Sequence, residues 1–201
     1  MARFSRVEVI NEILRIGVVP VFYNPDLETA QSIIEACAAA GLRVIEFTNR
    51  GDNAYRVFSD LVLHFARVNP SLILGVGSGI DPATGALYVS SGANFVVGSA
   101  LNPELARMCN RRKVSYSPGC GSASEISQAE ELGVEIVKIF PGDSVGPQVC
   151  QVDPGSDSLD AHYAHRRRGR QLREHRGLVQ SWCGCSRHRL QSGARGMGQS
   201  W

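Results

Sequence analysis

Two short stretches hold most of the chemistry this sequence can offer. In "EIVKIFPGD" (135–143) Lys138 stands within a run of Ile, Val and Phe, and it and Lys113 are the only lysines in the 201-residue chain. Side chains alternate along a strand, so Lys138 points opposite to Val137 and Ile139. In the interior of a closed sheet, desolvation would disfavour the ammonium and leave a nucleophilic amine. A lysine whose head reaches the rim or pairs with an acid is the competing reading, and composition weighs the two equally. The second stretch is "VIEFTNR" (44–50), where Glu46, Thr48 and Arg50 share one strand face at spacing two. An acid, a hydroxyl and a guanidinium on one face read as a proton-transfer group beside an anion clamp. A structural Glu–Arg pair inside a barrel is the alternative.

Weaker signals surround these. "GVGSG" (75–79) has the composition to bring backbone N–H groups to a phosphate or carboxylate, but alone it reads more readily as a strand-end turn. "NRRK" (110–113) follows the helical "NPELARMC" and reads as a solvated C-terminal turn rather than an anion site. Cys37, Cys109 and Cys120 read as buried or free thiols. Cys183 and Cys185, with His175 and His188, match none of the usual zinc spacings.

The elements that must position these residues are legible as alternation. "VVPVFY" (18–23), "RVIEFTNR" (43–50), "LILGVGS" (72–78), "FVVGSA" (95–100), "VSYSPGC" (114–120) and "EIVKIFPGD" (135–143) have the continuous apolar character of strands buried on both faces. Amphipathic stretches intervene, among them 26–41 and 122–133. The latter opens on Ser122 with Glu125 three residues on, a capping-box spacing, and closes on Gly133. Six strand–helix repeats predict parallel βα units. Strands ending in Thr48-Asn49-Arg50, Gly77-Ser78-Gly79 and Pro141-Gly142-Asp143 place polar residues where such folds carry their sites. A doubly wound sheet is an alternative, but no G-x-G-x-x-G opens the first helix, and dispersal of the site over several strands favours a barrel. Six units leave an eight-stranded barrel two short.

Whole-chain composition is that of a soluble globular protein, 43% hydrophobic and 20% charged, and no apolar run approaches the length that spans a bilayer. The N-terminus mixes charges through its apolar positions, unlike a secretory signal, so a cytoplasmic location is expected. The net charge of +2 conceals a boundary. Residues 1–148 hold 12 Lys and Arg against 15 acids, whereas 149–201 hold 9 Arg against 4 acids and four of the five His.

The stretches quoted above, with "NRRKVSYSPGCGSASEISQAEELG" and "EIVKIFPGDSVGPQ", resemble the pyruvate aldolases that cleave 2-dehydro-3-deoxy-6-phosphogluconate and 4-hydroxy-2-oxoglutarate. The resemblance runs in order through residue 148. It implies a (β/α)8 TIM barrel, a homotrimer, and a lyase of carbohydrate metabolism that uses a Schiff base and no metal or cofactor. It implies further that Lys138 forms the imine with a 2-keto acid, Glu46 shuttles protons through a water, and Arg50 lies near the substrate carboxylate. Thr48, Gly77, Ser78 and Pro141 fall at the substrate-binding strand ends. Gly79 and Ser99 depart from the family's usual residues. No nucleic-acid or membrane partner is implied, and a phosphosugar-binding barrel of another activity remains the alternative.

After residue 148 the family should continue to a strand ending in Pro-Thr-Gly-Gly and then a glycine turn opening a phosphate-binding helix. Neither is present. Reading one base further on, however, codons for Ala164 to Gly169 (GCC CAC CGG CGG CGT GGA) yield Pro-Thr-Gly-Gly-Val. The same shift permits "FVKSIRGPIPWTHIMPTGGV" from Val149 and, directly after it, "DGNCENIAGWFKAGVAAVGIGSS". Val149 to Trp201 therefore reads as a frameshifted translation, and the Arg- and His-rich run 164–177 as its by-product rather than a nucleic-acid-binding arm. The expectation is an incomplete barrel domain over 1–148 and a disordered or poorly packed basic tail over 149–201, with aldolase activity impaired. Unpaired strand edges and open apolar surface are the reason. A non-catalytic remnant is the alternative.

Overall fold

A computed structural model describes residues 2–79 and 81–142. The basic tail, its Cys and His residues, and the segment assigned to a shifted frame lie outside the described residues. Helix α1 (Arg6–Ile16) comes first, followed by β1 (Val21–Phe22), α2 (Leu27–Ala39), β2 (Val44–Thr48), α3 (Ala54–Val68) and β3 (Ile73–Gly79). Then come α4 (Pro82–Ser90), β4 (Phe95–Gly98), α5 (Pro103–Arg112), β5 (Ser115–Ser117), β6 (Gly119–Cys120), α6 (Ala123–Glu131) and β7 (Lys138–Ile139). Short polar residues start the helices. The side chains of Asp26, Asp81, Asn102 and Ser122 each accept a backbone N–H of the first turn of α2, α4, α5 and α6.

The capping box falls somewhere unexpected. In α1, Ser5 accepts from the Glu8 N–H while the Glu8 carboxylate takes the Ser5 N–H, closing the reciprocal pair. At α6 the Glu125 carboxylate instead accepts from the Gly121 N–H and the Ser122 hydroxyl. Gly133, with φ of 76°, turns the chain out of that helix as its position suggested.

All strands pair in parallel, in the order β1-β2-β3-β4-β5, with β6-β7 alongside. Only Pro118 separates β5 from β6. Proline has no N–H for the ladder, but its carbonyl accepts from the Lys138 N–H at 2.9 Å. The segment 115–120 thus pairs with β4 through its first half and with β7 through its second. Six strand positions follow one another around an arc, and the order never reverses. A doubly wound sheet requires such a reversal, so the barrel reading stands.

The strands are shorter than the apolar runs that predicted them. β1 is two residues rather than 18–23, because Pro20 contributes a carbonyl to the Glu46 N–H but has no donor of its own. β7 is two residues rather than 135–143, and among the described residues it pairs with β6 alone.

Alternation divides the apolar residues between two faces. Ile45, Phe47, Leu74, Val76, Val96, Tyr116 and Ile139 turn outward onto Ile34, Phe58, Phe65, Tyr88 and Leu105 of the surrounding helices. Val44, Ile73, Phe95 and Val97 turn inward, joined by Val19 and by Val9 and Ile13 of α1. Val44, Ile73 and Phe95 each open their strand, so α1 covers the N-terminal ends of the inner face. The opposite end, where the strands finish, is left for the site.

Candidate active site

Glu46 is the inward-facing residue between Val44 and Thr48, and it is only 1% exposed. Its Oε2 has no hydrogen-bond partner among the described residues. Burial pushes the carboxyl up to about 7, against the pull of the positive charges on Lys138 and Arg50. Within the sheet Glu46 lies opposite Gly75 on β3 and Val21 on β1.

The G-x-G of β3 has a steric explanation. Gly75 and Gly77 both face inward. A Cβ on Gly75 would collide with the ring of Phe95, and a Cβ on Gly77 would collide with the Glu46 carboxylate. Rather than forming a strand-end turn, "GVGSG" continues the strand to Gly79. The missing side chains clear the space that an aromatic ring and the buried acid occupy.

Lys138 lies on the inner face. Its neighbour Ile139 belongs to the outer cluster, while Ile136, two residues back, packs against the inner one. The lysine is half-buried, pairs in register with Gly119, and holds its Nζ 5.2 Å from the centre of the Phe140 ring. Its charge reaches Glu46, but the ion pairs among the described residues all lie elsewhere, at Arg6–Glu135, Arg15–Glu12, Arg43–Glu12 and Arg107–Glu104. Among the described residues the lysine is therefore not paired with an acid, while its Nζ stays close to the exposed Phe140 ring.

Arg50 departs from expectation. β2 ends at Thr48, and the chain turns there, with the Arg50 N–H donating to the Thr48 carbonyl at 2.9 Å. Arg50 is exposed on the loop rather than on the strand face, and it forms no structural ion pair with Glu46. Its charge still reaches the Glu46 carboxyl from the open end. Thr48 does face inward and is buried, its hydroxyl donating to the Phe22 carbonyl at 3.4 Å.

Ser78 adopts a left-handed backbone with φ of 60°, where β3 shifts register against β4. For a residue with a Cβ that conformation costs on the order of 1 kcal/mol, and such strain gathers at functional strand ends. Pro141 is exposed one residue beyond Phe140.

The structure thus gathers Lys138, Glu46, Thr48 and Gly77 inside the sheet, with Arg50 and Ser78 at its C-terminal rim. Phe140 was missed in the sequence, although its place two residues after Lys138 in a strand run carried the signal. Tyr88 was missed as well, and Asn49 was named only as part of the strand end Thr48-Asn49-Arg50. Among the described residues no group of His, Cys, Asp and Glu is placed to hold a metal ion, and no helix is long and apolar enough to cross a membrane. "NRRK" does finish α5 as an exposed C-terminal turn, with Lys113 in the left-handed cap position. Cys109 and Cys120 are buried free thiols, and Cys37 is half-buried and free.

A parallel α/β barrel arc with a buried acid and a lysine on its inner face defines a TIM-barrel protein with a site at the strand C-termini. The family model "KDPG and KHG aldolase" matches residues 9–152, and the chain belongs to that family. It is 27% identical over 143 residues to a 2-dehydro-3-deoxy-phosphogluconate aldolase of Haemophilus influenzae, covering 71% of this chain and 66% of that one. To the enzyme of the same name from Pseudomonas aeruginosa it is 34% identical, covering 60% and 54%. A crystal structure of KDPG aldolase from Legionella pneumophila, with pyruvate captured as a covalent carbinolamine, aligns with a TM-score of 0.59 at 29% identity, covering 65% of this chain and 61% of that one. The Zymomonas mobilis ZM4 2-keto-3-deoxy-6-phosphogluconate aldolase aligns with a TM-score of 0.65 at 18% identity, covering 91% and 98%, a likeness of fold. The chain matches less than two thirds of the length of these curated relatives.

Proposed function

We propose that this chain is a Schiff-base aldolase that cleaves a 2-keto-3-deoxy-phosphosugar acid or 4-hydroxy-2-oxoglutarate to pyruvate and an aldehyde. The observation that carries the reading is Glu46: a buried carboxyl, pushed up to about 7, with one oxygen unpartnered among the described residues and within electrostatic reach of the inward-facing Lys138. A structural carboxylate would be paired. One poised near neutrality can both take and give a proton.

In the proposed reaction the Lys138 amine adds to the substrate C2 carbonyl, and loss of water gives the imine. Glu46 takes the proton of the C4 hydroxyl through a water, and the C3–C4 bond breaks. The aldehyde leaves, and the bonding electrons pass into the imine to form an enamine. Glu46 returns a proton to C3, and hydrolysis releases pyruvate and the free lysine. Arg50 holds the substrate carboxylate from the rim. Ser78, Thr48, Gly77 and Pro141 shape the substrate side of the site, and no metal or cofactor takes part.

Family membership supports the rest of the reading, a cytoplasmic homotrimer acting on small molecules. Activity in this chain is reduced, because the phosphate-binding segments the family uses fall where residues 149–201 read in a shifted frame.

Borohydride reduction in the presence of pyruvate tests the assignment. The expected result is a stable adduct on Lys138, located by peptide mass. An unmodified lysine would favour a non-catalytic remnant, and full activity in Lys138→Ala would favour a barrel of different chemistry.

A further inference from the structure

The loop that carries Arg50 is tied to the barrel by a hydrogen bond from the outer helix layer. Tyr88 of α4 is buried, and its hydroxyl donates to the Asn49 Oδ1 at 2.9 Å. Its ring stands edge-on to Tyr55 and Phe58 of α3, with centroids 5.7 and 5.1 Å away. Burial pushes the phenol up to about 12, so it remains a donor throughout the working pH range. Tyr55 is itself fixed, accepting at its hydroxyl from Ser91 Oγ at 2.7 Å. The tyrosine therefore has little freedom to follow Asn49 if the loop moves.

Asn49 links the two halves of the site. Its backbone N–H donates to the Gly77 carbonyl at 2.9 Å, and Gly77 is the residue whose missing side chain makes room for the Glu46 carboxylate. Its chain neighbours are the inward Thr48 and the exposed Arg50. On the far side of the loop, Tyr23 places its hydroxyl where a Cβ on Gly51 would stand. Arg50 itself has no ion pair among the described residues to set its direction. What remains to orient it is the backbone of 49–51, gripped through Asn49 on one side and packed by Tyr23 on the other.

We propose that Asn49 is a positioning residue, braced by Tyr88, that holds the 49–51 loop so that Arg50 meets the substrate carboxylate. This rests on the aldolase reading for what Arg50 binds, but not for the brace itself.

Tyr88→Phe removes one oxygen from a buried ring and leaves the ring packing in place, and Asn49→Ala removes the other partner. Two measurements on the full chain separate the brace from its consequence. The first is limited trypsin cleavage at Arg50–Gly51. Loss of one hydrogen bond should raise its rate about three- to tenfold in either variant, with cleavage after Arg15 and Arg107 unchanged. The second is the half-saturation concentration for borohydride trapping at Lys138, measured with pyruvate and with hydroxyacetone, a ketone lacking the carboxylate. Pyruvate should require about three- to tenfold more, while hydroxyacetone and the saturating trapping rates stay within twofold of the unsubstituted chain.

Unchanged cleavage at Arg50–Gly51 overturns the brace. Faster cleavage with unchanged pyruvate half-saturation, or equal losses for both ketones, overturns the positioning role. Failure of the unsubstituted chain to trap pyruvate overturns the aldolase reading, and the cleavage rates still decide the brace.

Discussion

Glu46 and Gly77 share a single volume: the carboxylate of the first stands where any side chain on the second would have to begin. The acid is on β2 and the glycine on the next strand, both facing inward, so the relationship depends on the parallel register that sets Thr48 beside Gly77. Phe95 and Gly75 repeat the arrangement one layer nearer the strand N-termini.

These two glycines should fail differently. In Gly77→Ala the atoms displaced are the far end of the flexible Glu46 side chain, which swings away at modest cost. Pyruvate trapping should slow at least tenfold, with a stability loss of about 1 kcal/mol. In Gly75→Ala the obstacle is the buried Phe95 ring, so the penalty should be mainly in folding, about 1–3 kcal/mol. Denaturant midpoints and trapping rates measured on both variants check this, and equal effects of the two on both readouts would contradict it.

Burial of Glu46 predicts a pH-dependent stability penalty. Burial pushes the carboxyl up to about 7 in the folded chain, from an ordinary value of 4.5. Between those values the folded state binds more protons than the unfolded one, so this group's contribution falls as pH rises from about 4.5 to about 7 and is constant above. A shift of this size corresponds to on the order of 3–4 kcal/mol. Glu46→Gln has no such titration. Its stability relative to the unsubstituted chain should therefore rise across that window, as urea unfolding at pH 4.5, 6 and 7.5 would show.

The same variant should lose the proton shuttle. An amide can neither take the C4 hydroxyl proton nor return one to the enamine, and general acid–base catalysis is worth about 10²–10⁴-fold. Glu46→Gln should show a kcat loss in that range together with stability equal to or above that of the unsubstituted chain at neutral pH. A more stable protein that is less active excludes misfolding as the cause.

Lys138→Ala is expected to abolish the pyruvate-dependent mass, since Lys113, the other lysine, is an exposed helix cap at the end of α5. Tryptic mapping after borohydride reduction decides between them, and an adduct on Lys113 would remove the inner-face lysine from the mechanism.

The shift of frame is tested on the gene. Sequencing the DNA across codons 140 to 165 is expected to find one base more or fewer than this reading requires. The corrected reading should continue from Gln148 through Pro-Thr-Gly-Gly to the terminal glycine turn. Expression from that reading should raise activity above that of the 201-residue chain, and an unaltered DNA sequence would mean the cell makes the basic tail.

Much of the architecture was written locally. Apolar runs of strand length, separated by amphipathic helices with Asp, Asn or Ser at their starts, specify parallel βα units because periodicity and capping are set by residues adjacent in sequence. Lys138 and Glu46 stood out for the same local reason, as charges in strands otherwise fit for full burial. Strand length was less legible, because a ladder needs partners as well as propensity: Pro20 shortens β1, and Pro118 divides β5 from β6. Arg50 illustrates the limit of period-two reasoning, since the chain turns after Thr48 and carries it out of the alternation. The residues that only the tertiary structure could supply are those whose meaning lies in a neighbour distant in sequence. Gly77 makes room for an acid on another strand, and Tyr88 grips Asn49 from 39 residues away. A glycine reads the same in any strand, and a tyrosine in any apolar helix face. Their roles exist only once parallel register and helix packing have set which atoms occupy the same space.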